Sequence, residues 1–344
     1  MNIPVSQKQY QLTRQEKAYR LELIEKAVVR EPRPQEVLVR VHASSINRRD
    51  IMILRGDYPV AGREKVVPLS DGAGEVVAVG NGVTRVAPGD RVVGQFFQSW
   101  LEGRGLSSTG ESALGGACDG MLAEYVTLRE DGVLRYPAHL SFEEAATLPC
   151  AAVTAWNSLV TRGGLRAEDH VLLQGTGGVS IFGLQFAQAF GAQMVITSSK
   201  DDKLARARDL GASHLINYRE TPDWTAAVLA ATKGVGVHHV LEVGGIGTLK
   251  QSLAVLAHGG HIAIIGGLGG FGGDIPAVNM IGRCMNVSGI FVGSRSDFEK
   301  MNLFIDRHRI KPVIDRVFDF ADAPAAYLYM EYGNHFGKVV IRHR

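Results

Sequence analysis

A chain of 344 residues exceeds what one hydrophobic core ordinarily organises, so two domains are expected. Its 45% hydrophobic and 21% charged content is that of a soluble globular protein, and a formal charge of +2 without a Lys/Arg block argues against a nucleic-acid face. Met1 to Arg20 is polar, no stretch is apolar enough to span a bilayer, and Cys118, Cys150 and Cys284 lack the spacing of a disulfide framework or zinc cluster; neither a signal peptide nor a membrane span is expected, and a reducing, cytoplasmic location is.

The first part reads as β-rich. Tyr19–Leu23 and Glu36–Val41 alternate as half-buried strands do, with Pro32 and Pro34 marking the turn between them. Gly74–Gly80 and Arg91–Val93 repeat the pattern around the turn Pro88-Gly89-Asp90, and short strands with frequent turns predict a partly closed barrel. Segment 98–120 is rich in Gly and Ser, lacks a period, and reads as a long loop. From about residue 140 the rhythm changes. Ser141 is a candidate N-cap for a helix to Leu148, with Glu143 and Glu144 in its first turn, and a second helix is expected over Ala152–Val160.

Strand patterns over 170–174, 194–198, 213–217, 238–243 and 260–266 then alternate with helical periods, which implies a parallel sheet covered on both faces. Gly244-Gly245 and Gly266-Gly267 follow two of these strands, at the carboxyl edge where open α/β sheets bind ligands. Val313–Phe318 and Gly337–Ile341 read as strands flanking a helix and return to the early style. The expected organisation is an α/β chain in which residues 152–291 form a doubly wound dinucleotide-binding domain. That domain is inserted into a barrel domain made of residues 1–151 and 292–344.

The stretch Val171–Ser180 carries the most chemistry. An apolar strand runs into Gln174-Gly175-Thr176-Gly177-Gly178-Val179-Ser180, and an amphipathic helix follows at once. Glycines there let backbone approach a pyrophosphate, and the helix start offers unpaired N–H groups with the positive end of its dipole. Ser180 stands where the third glycine of the fingerprint would be. The next strand ends in Ser198-Ser199-Lys200, about twenty residues on, where an NAD site would place a carboxylate on the adenosine ribose. Hydroxyls and a cation suit a 2′-phosphate, so the expected cofactor is NADPH. Asp201 and Asp202 fall in the first turn of the following helix, where negative charge suits the dipole.

A barrel-like start, a nucleotide-binding insert and a C-terminal return together resemble the medium-chain dehydrogenase/reductase superfamily, specifically its zinc-independent, quinone-oxidoreductase-like branch. The resemblance rests on Ala43–Asp50, Asp71–Gly80, Gly89–Val92, Gln174–Ser180 and Gly337–Val340, and covers nearly the whole chain. It implies a GroES-like barrel with a Rossmann insert. Zinc-dependent members carry Cys at the position of Asn47, His-Glu at Ser70-Asp71 and a third ligand at Cys150, and their structural-zinc lobe has four close cysteines where 96–118 offers Cys118 alone. No metal is therefore expected.

Without a metal to stabilise an alkoxide, reduction of a quinone or an α,β-unsaturated carbonyl by NADPH is the expected reaction. The alternatives are a zinc-independent NADP-dependent alcohol dehydrogenase and a non-catalytic NADPH-binding protein. The resemblance places Asn47 and Thr154 near the nicotinamide ribose and carboxamide, makes Asn47 and Tyr58 the catalytic candidates, and gives Tyr58, within Gly56-Asp57-Tyr58-Pro59, the role of proton donor. It puts Ser198, Ser199 and Lys203 near the 2′-phosphate and Tyr218 near the adenosine. Gly175, Thr176, Gly177, Gly178 and Val179 take the diphosphate, Gly244, Gly267, Phe291 and Val292 line the groove, and Asn334 and Lys338 close over the nicotinamide. A homodimer is implied through the strand matching Val287–Val292.

Overall fold

The structure is a computed structural model and describes residues 3–58, 60, 63–105, 107–272 and 274–343. The chain divides into two compact units, Met1–Ala151 with Ser294–Arg344, and Ala152–Gly293.

The first unit begins with β1 (Ser6–Gln15), β2 (Ala18–Val28), β3 (Glu36–Ile46), β4 (Lys65–Val66), β5 (Asp71–Val79), β6 (Arg91–Gly94), β7 (Tyr125–Arg129) and β8 (Val133–Arg135). Alternation drives these strands. Val37, Val39 and Val41 of β3, Val76 of β5, Val92 of β6, and Val126 and Leu128 of β7 all point into one cluster closed by Met121 and Leu114. The helix Arg48–Arg55 follows β3 directly and ends at Gly56, whose left-handed φ of 79° suits a glycine C-cap. Segment 98–120 is mainly loop, with a short 3₁₀ turn at Ser107–Ser112.

The second unit carries β9 (His170–Gln174), β10 (Gln193–Ser198), β11 (His214–Asn217), β12 (Val237–Glu242), β13 (Leu256–Ile264) and β14 (Asn286–Gly289). All five pairings are parallel, in the order β11-β10-β9-β12-β13-β14. That order belongs to the doubly wound dinucleotide fold, in which the chain reverses its direction of winding between the first and fourth strands. Strands buried on both faces need unbroken apolar runs, and Val171, Leu172 and Leu173 are all fully buried. The helix expected over Ala152–Val160 lies within a helical run from Leu148 to Arg162 that contains two wide, π-type turns. Pro149 in the first of them cannot donate a backbone hydrogen bond.

The chain then returns to the first unit. A helix, Arg295–His308, precedes β15 (Ile314–Asp319) and β16 (Lys338–Arg342). β16 pairs antiparallel with β3 and parallel with β15, completing a seven-stranded sheet. This pairing is why the two sequence halves of the first unit form one body. No helix among the described residues is long and apolar enough to cross a membrane.

Two buried histidines fix an acid response. Burial lowers His261 on β13 to about 4 and His343 beyond β16 to about 3, so both are neutral in the folded state. An unfolded histidine takes up its proton near 6.5. Stability is therefore intact above that pH and falls as pH drops toward 4, by up to about 1.4 kcal/mol per pH unit for each histidine. Both ring nitrogens of His261 lack hydrogen-bond partners among the described residues, and its ring packs edge-on against His239. His261→Phe is accordingly expected to flatten the fall in melting temperature between pH 6.5 and 4.5. An unchanged slope would remove His261 from this account.

Candidate active site

In the first unit, β3 delivers Asn47 to the start of the helix Arg48–Arg55, and Asp50 accepts from the Asn47 N–H at 2.7 Å. β5 begins with Asp71, whose carboxylate accepts from Ser70 Oγ at 2.7 Å and from the Cys150 N–H at 3.2 Å. β16 then inserts Lys338. Its ammonium donates to Asn47 Oδ1 at 2.5 Å and to the Ile46 carbonyl at 3.1 Å, and lies 3.8 Å from Asp71 Oδ2. Lys338 is 3% exposed and Asp71 0%, so this is a buried charge pair with hydrogen-bonding neighbours. The structure thus adds a barrel-side set of partners to Lys338, which resemblance places over the nicotinamide.

Burial sets the protonation of the remaining groups. It raises Asp50 to about 6 against the pull of Arg49, raises Asp71 against Lys338, and pushes the Cys150 thiol far up, with Asp71 adding to the effect. Cys150 is thus held as a neutral thiol.

Tyr58 packs beside Leu12, Ile53 and Val66, and the Arg49 guanidinium lies 5.3 Å from the centre of its ring and 4.7 Å from that of Phe96. Burial raises the phenol above its ordinary value while Arg49 pulls it back, so the hydroxyl keeps its proton at neutral pH. Pro59 of the same motif lies outside the described residues. Arg49 is a partner that the sequence reading did not single out; its position two residues after Asn47 on the helix was the available signal.

In the second unit, β9 ends at Gln174 and the turn follows. Gly175 has φ of 70°, and a Cβ built on Gly175 or Gly177 would meet nothing among the described residues within 4 Å. Gly177 is the N-cap of the helix Gly178–Phe190 in extended backbone, with no side chain capping it. Open space against a bare helix start fits a diphosphate. Thr176 is buried, and Gly178 and Val179 are half-buried in the first turn. Ser180 donates its hydroxyl to the Gln174 carbonyl at 2.7 Å, tying helix to strand. The close helix–sheet approach falls instead at Gly183, where a Cβ would come within 2.8 Å of Leu241 and 3.0 Å of Leu173.

The other predicted residues of this unit divide by location. Ser198 ends β10, buried, and its carbonyl accepts from the Tyr218 N–H at 3.0 Å, which brings those two residues together. Ser199 is half-exposed just beyond it, and the Lys203 side chain is mostly covered on the next helix. Gly244 and Gly267 lie on neighbouring loops after β12 and β13, joined by the bond from the Gly269 N–H to the Gly244 carbonyl at 2.8 Å. Phe291 is half-exposed, whereas Val292 is buried at a φ of 56°, a strained conformation for a β-branched residue. Asn157 donates to the Val292 carbonyl at 2.7 Å. Thr154 is buried, with its carbonyl accepting from Ser158 Oγ. Asn334, in the first unit, is exposed in the turn before β16.

A doubly wound sheet with an open glycine turn, in a chain that also forms a β-rich unit, defines a two-domain dinucleotide-dependent oxidoreductase. The chain belongs to the medium-chain dehydrogenase/reductase superfamily: residues 33–138 match the alcohol dehydrogenase GroES-like domain and residues 178–307 the zinc-binding dehydrogenase domain. It is 46% identical over 315 residues to a zinc-type alcohol dehydrogenase-like protein of Schizosaccharomyces pombe, covering 90% of this chain and 91% of that one. A provisionally assigned alcohol dehydrogenase from Sinorhizobium meliloti 1021 superposes with a TM-score of 0.92 at 42% identity, covering 99% and 100% of the two chains. The 2-octenoyl-CoA carboxylase reductase CinF, solved with NADP and 2-octenoyl-CoA, superposes with a TM-score of 0.86 at 25% identity, covering 99% and 88%.

Proposed function

We propose that this chain is a zinc-independent, NADPH-dependent reductase of quinones or α,β-unsaturated carbonyls. The observation that carries the reading is the Lys338 ammonium, bonded to Asn47 and close to Asp71 at the positions that hold a metal in zinc-dependent relatives. A divalent cation needs anionic or lone-pair donors turned toward it, and this cluster turns its oxygens to a lysine. The donor set does not fit a catalytic zinc. Among the described residues no group of three or more His, Cys, Asp or Glu is placed to hold a metal. The NADP complex of CinF and the Ser198-Ser199-Lys200 strand end both support NADPH as the cofactor.

When bound, NADPH supplies a hydride to the electrophilic carbon of the acceptor. Tyr58 gives its proton to the enolate that results, and solvent re-protonates the phenolate. Arg49 beside the ring favours the transient phenolate, lowering the cost of that donation. Tyr58→Phe is expected to reduce kcat for an enone by about 100- to 1,000-fold, the range of a lost general acid, with the affinity for NADPH unchanged. Loss of NADPH absorbance with a panel of quinones and enones tests the function itself. Turnover that ignores chelators supports it, and alcohol oxidation abolished by chelation overturns it.

The same reading includes a cytoplasmic homodimer. Among the described residues β14 is an edge strand with one side unpaired, and the adjacent helix Ala277–Arg283 leaves Val278 and Ile281 about three-quarters exposed (74% and 79%). The three cysteines are free, as a reducing compartment allows.

A further inference from the structure

Glu242 ends β12 and is 0% exposed. Five neutral donors converge on its carboxylate: Gln174 Nε2 at 2.9 Å, Ser252 Oγ at 2.5 Å, Thr248 Oγ1 at 2.6 Å, and the Gly244 and Gly245 N–H groups at 2.8 and 3.0 Å. No lysine, arginine or histidine among the described residues pairs with it. Dipoles of this kind hydrogen-bond a carboxylate without cancelling its charge, and a buried charge acts at longer range than a solvated one.

Its place in the sheet gives that charge a target. β9 and β12 are neighbours paired through Leu173 and Leu241, so Gln174 and Glu242 are the last residues of the two strands at which the winding reverses. A dinucleotide in this fold lies across the crevice there, diphosphate at the turn after the first strand and adenosine toward the second. The nicotinamide half would then fall on the side of β12 and β13. Glu242 also holds the loop 243–248 from beneath, and Gln174 Oε1 accepts from the Val243 and Gly244 N–H groups on the same loop.

We infer that Glu242 sets the redox balance of the bound cofactor: its uncompensated negative charge stabilises the positively charged oxidised nicotinamide over the neutral reduced ring, making the bound reduced form a stronger hydride donor. The inference rests on the NADPH reading above. A carboxylate that served only to brace the loop would affect both cofactor forms alike, so the ratio of the two affinities isolates the charge.

The experiment is titration of NADP⁺ and NADPH into the full chain and into Glu242→Gln, by calorimetry and by fluorescence. The variant is expected to weaken NADP⁺ relative to NADPH by about tenfold, the effect of one charge acting through a partly wet interior. Tenfold corresponds to about 30 mV in the potential of the bound two-electron couple. The exchange Glu242→Gln with Gln174→Glu moves the charge by one hydrogen bond and is expected to restore the original ratio. Should Glu242→Gln fail to fold, the same ratio is read on Glu242→Met with Thr248→Val and Ser252→Ala, which removes the charge together with the hydroxyls it would orphan. Equal weakening of both forms, or no weakening, overturns the inference and leaves the NADPH reading standing. Failure of the unaltered chain to bind either form overturns both.

Discussion

Gly175→Val is expected to abolish nucleotide binding while leaving the protein folded. The residue sits at φ of 70°, which a β-branched side chain adopts at a cost of about 1–2 kcal/mol. The space its Cβ would enter is empty, so no packing is lost. A valine there occupies the cradle in which backbone N–H groups would meet a diphosphate. Hydrogen bonds to a charged group contribute about 1.5–3 kcal/mol each, and losing two of them weakens binding by roughly 100-fold or more. Fluorescence titration with NADPH beside a thermal melt checks both halves of the prediction. Affinity kept within threefold of the parent would mean that the diphosphate lies elsewhere.

Lys338→Met has the largest expected effect on stability. The ammonium is what Asp71 and Asn47 face in a region almost closed to water. Removing it leaves a buried carboxylate without its counter-charge, a change that costs about 3–5 kcal/mol. The carboxyl can relieve part of this by taking up a proton, so the loss should be greater at pH 8 than at pH 5. Adding Asp71→Asn removes the orphaned charge and is expected to recover most of the loss. Urea unfolding of the two single variants and the double variant measures the coupling, and simple additivity would show that the pair contributes nothing beyond its separate contacts.

Periodicity revealed the second unit more fully than the first. Its strands β9 and β10 are buried along almost their whole length, so each reads as an apolar run, and β9 begins and ends where that pattern does. In the first unit β1 was hidden. Its sequence, SQKQYQLTRQ, is almost wholly polar, with Tyr10 and Leu12 as the inward anchors, and a bulge between Gln7 and Gln9 breaks its alternation. The helix Arg295–His308 had a readable signal in Ser294, which caps Asp297, and in the spacing of Phe298, Met301 and Ile305, but no expectation covered it.

At the candidate site, motifs identified residues and could not identify their partners. Lys338 and Asn47 are 291 positions apart and meet because β16 pairs with β3. Gln174 and Glu242 are separated by 68 positions and meet because β9 pairs with β12. Neither strand of such a pair encodes which other strand will lie beside it. Arg49 was visible as a residue, but its stacking on Tyr58 depends on how the chain after Gly56 turns back.

The hydroxyl of Ser180 bears on how nucleotide-binding turns are recognised in new genomes. A pattern that insists on glycine at the third position would pass this chain over, although the tie to Gln174 gives serine a physical use there and Gly183 provides the tight fit one helical turn later. Descriptors built on helix-to-strand clearance, rather than on letters at fixed offsets, would retrieve turns of this type.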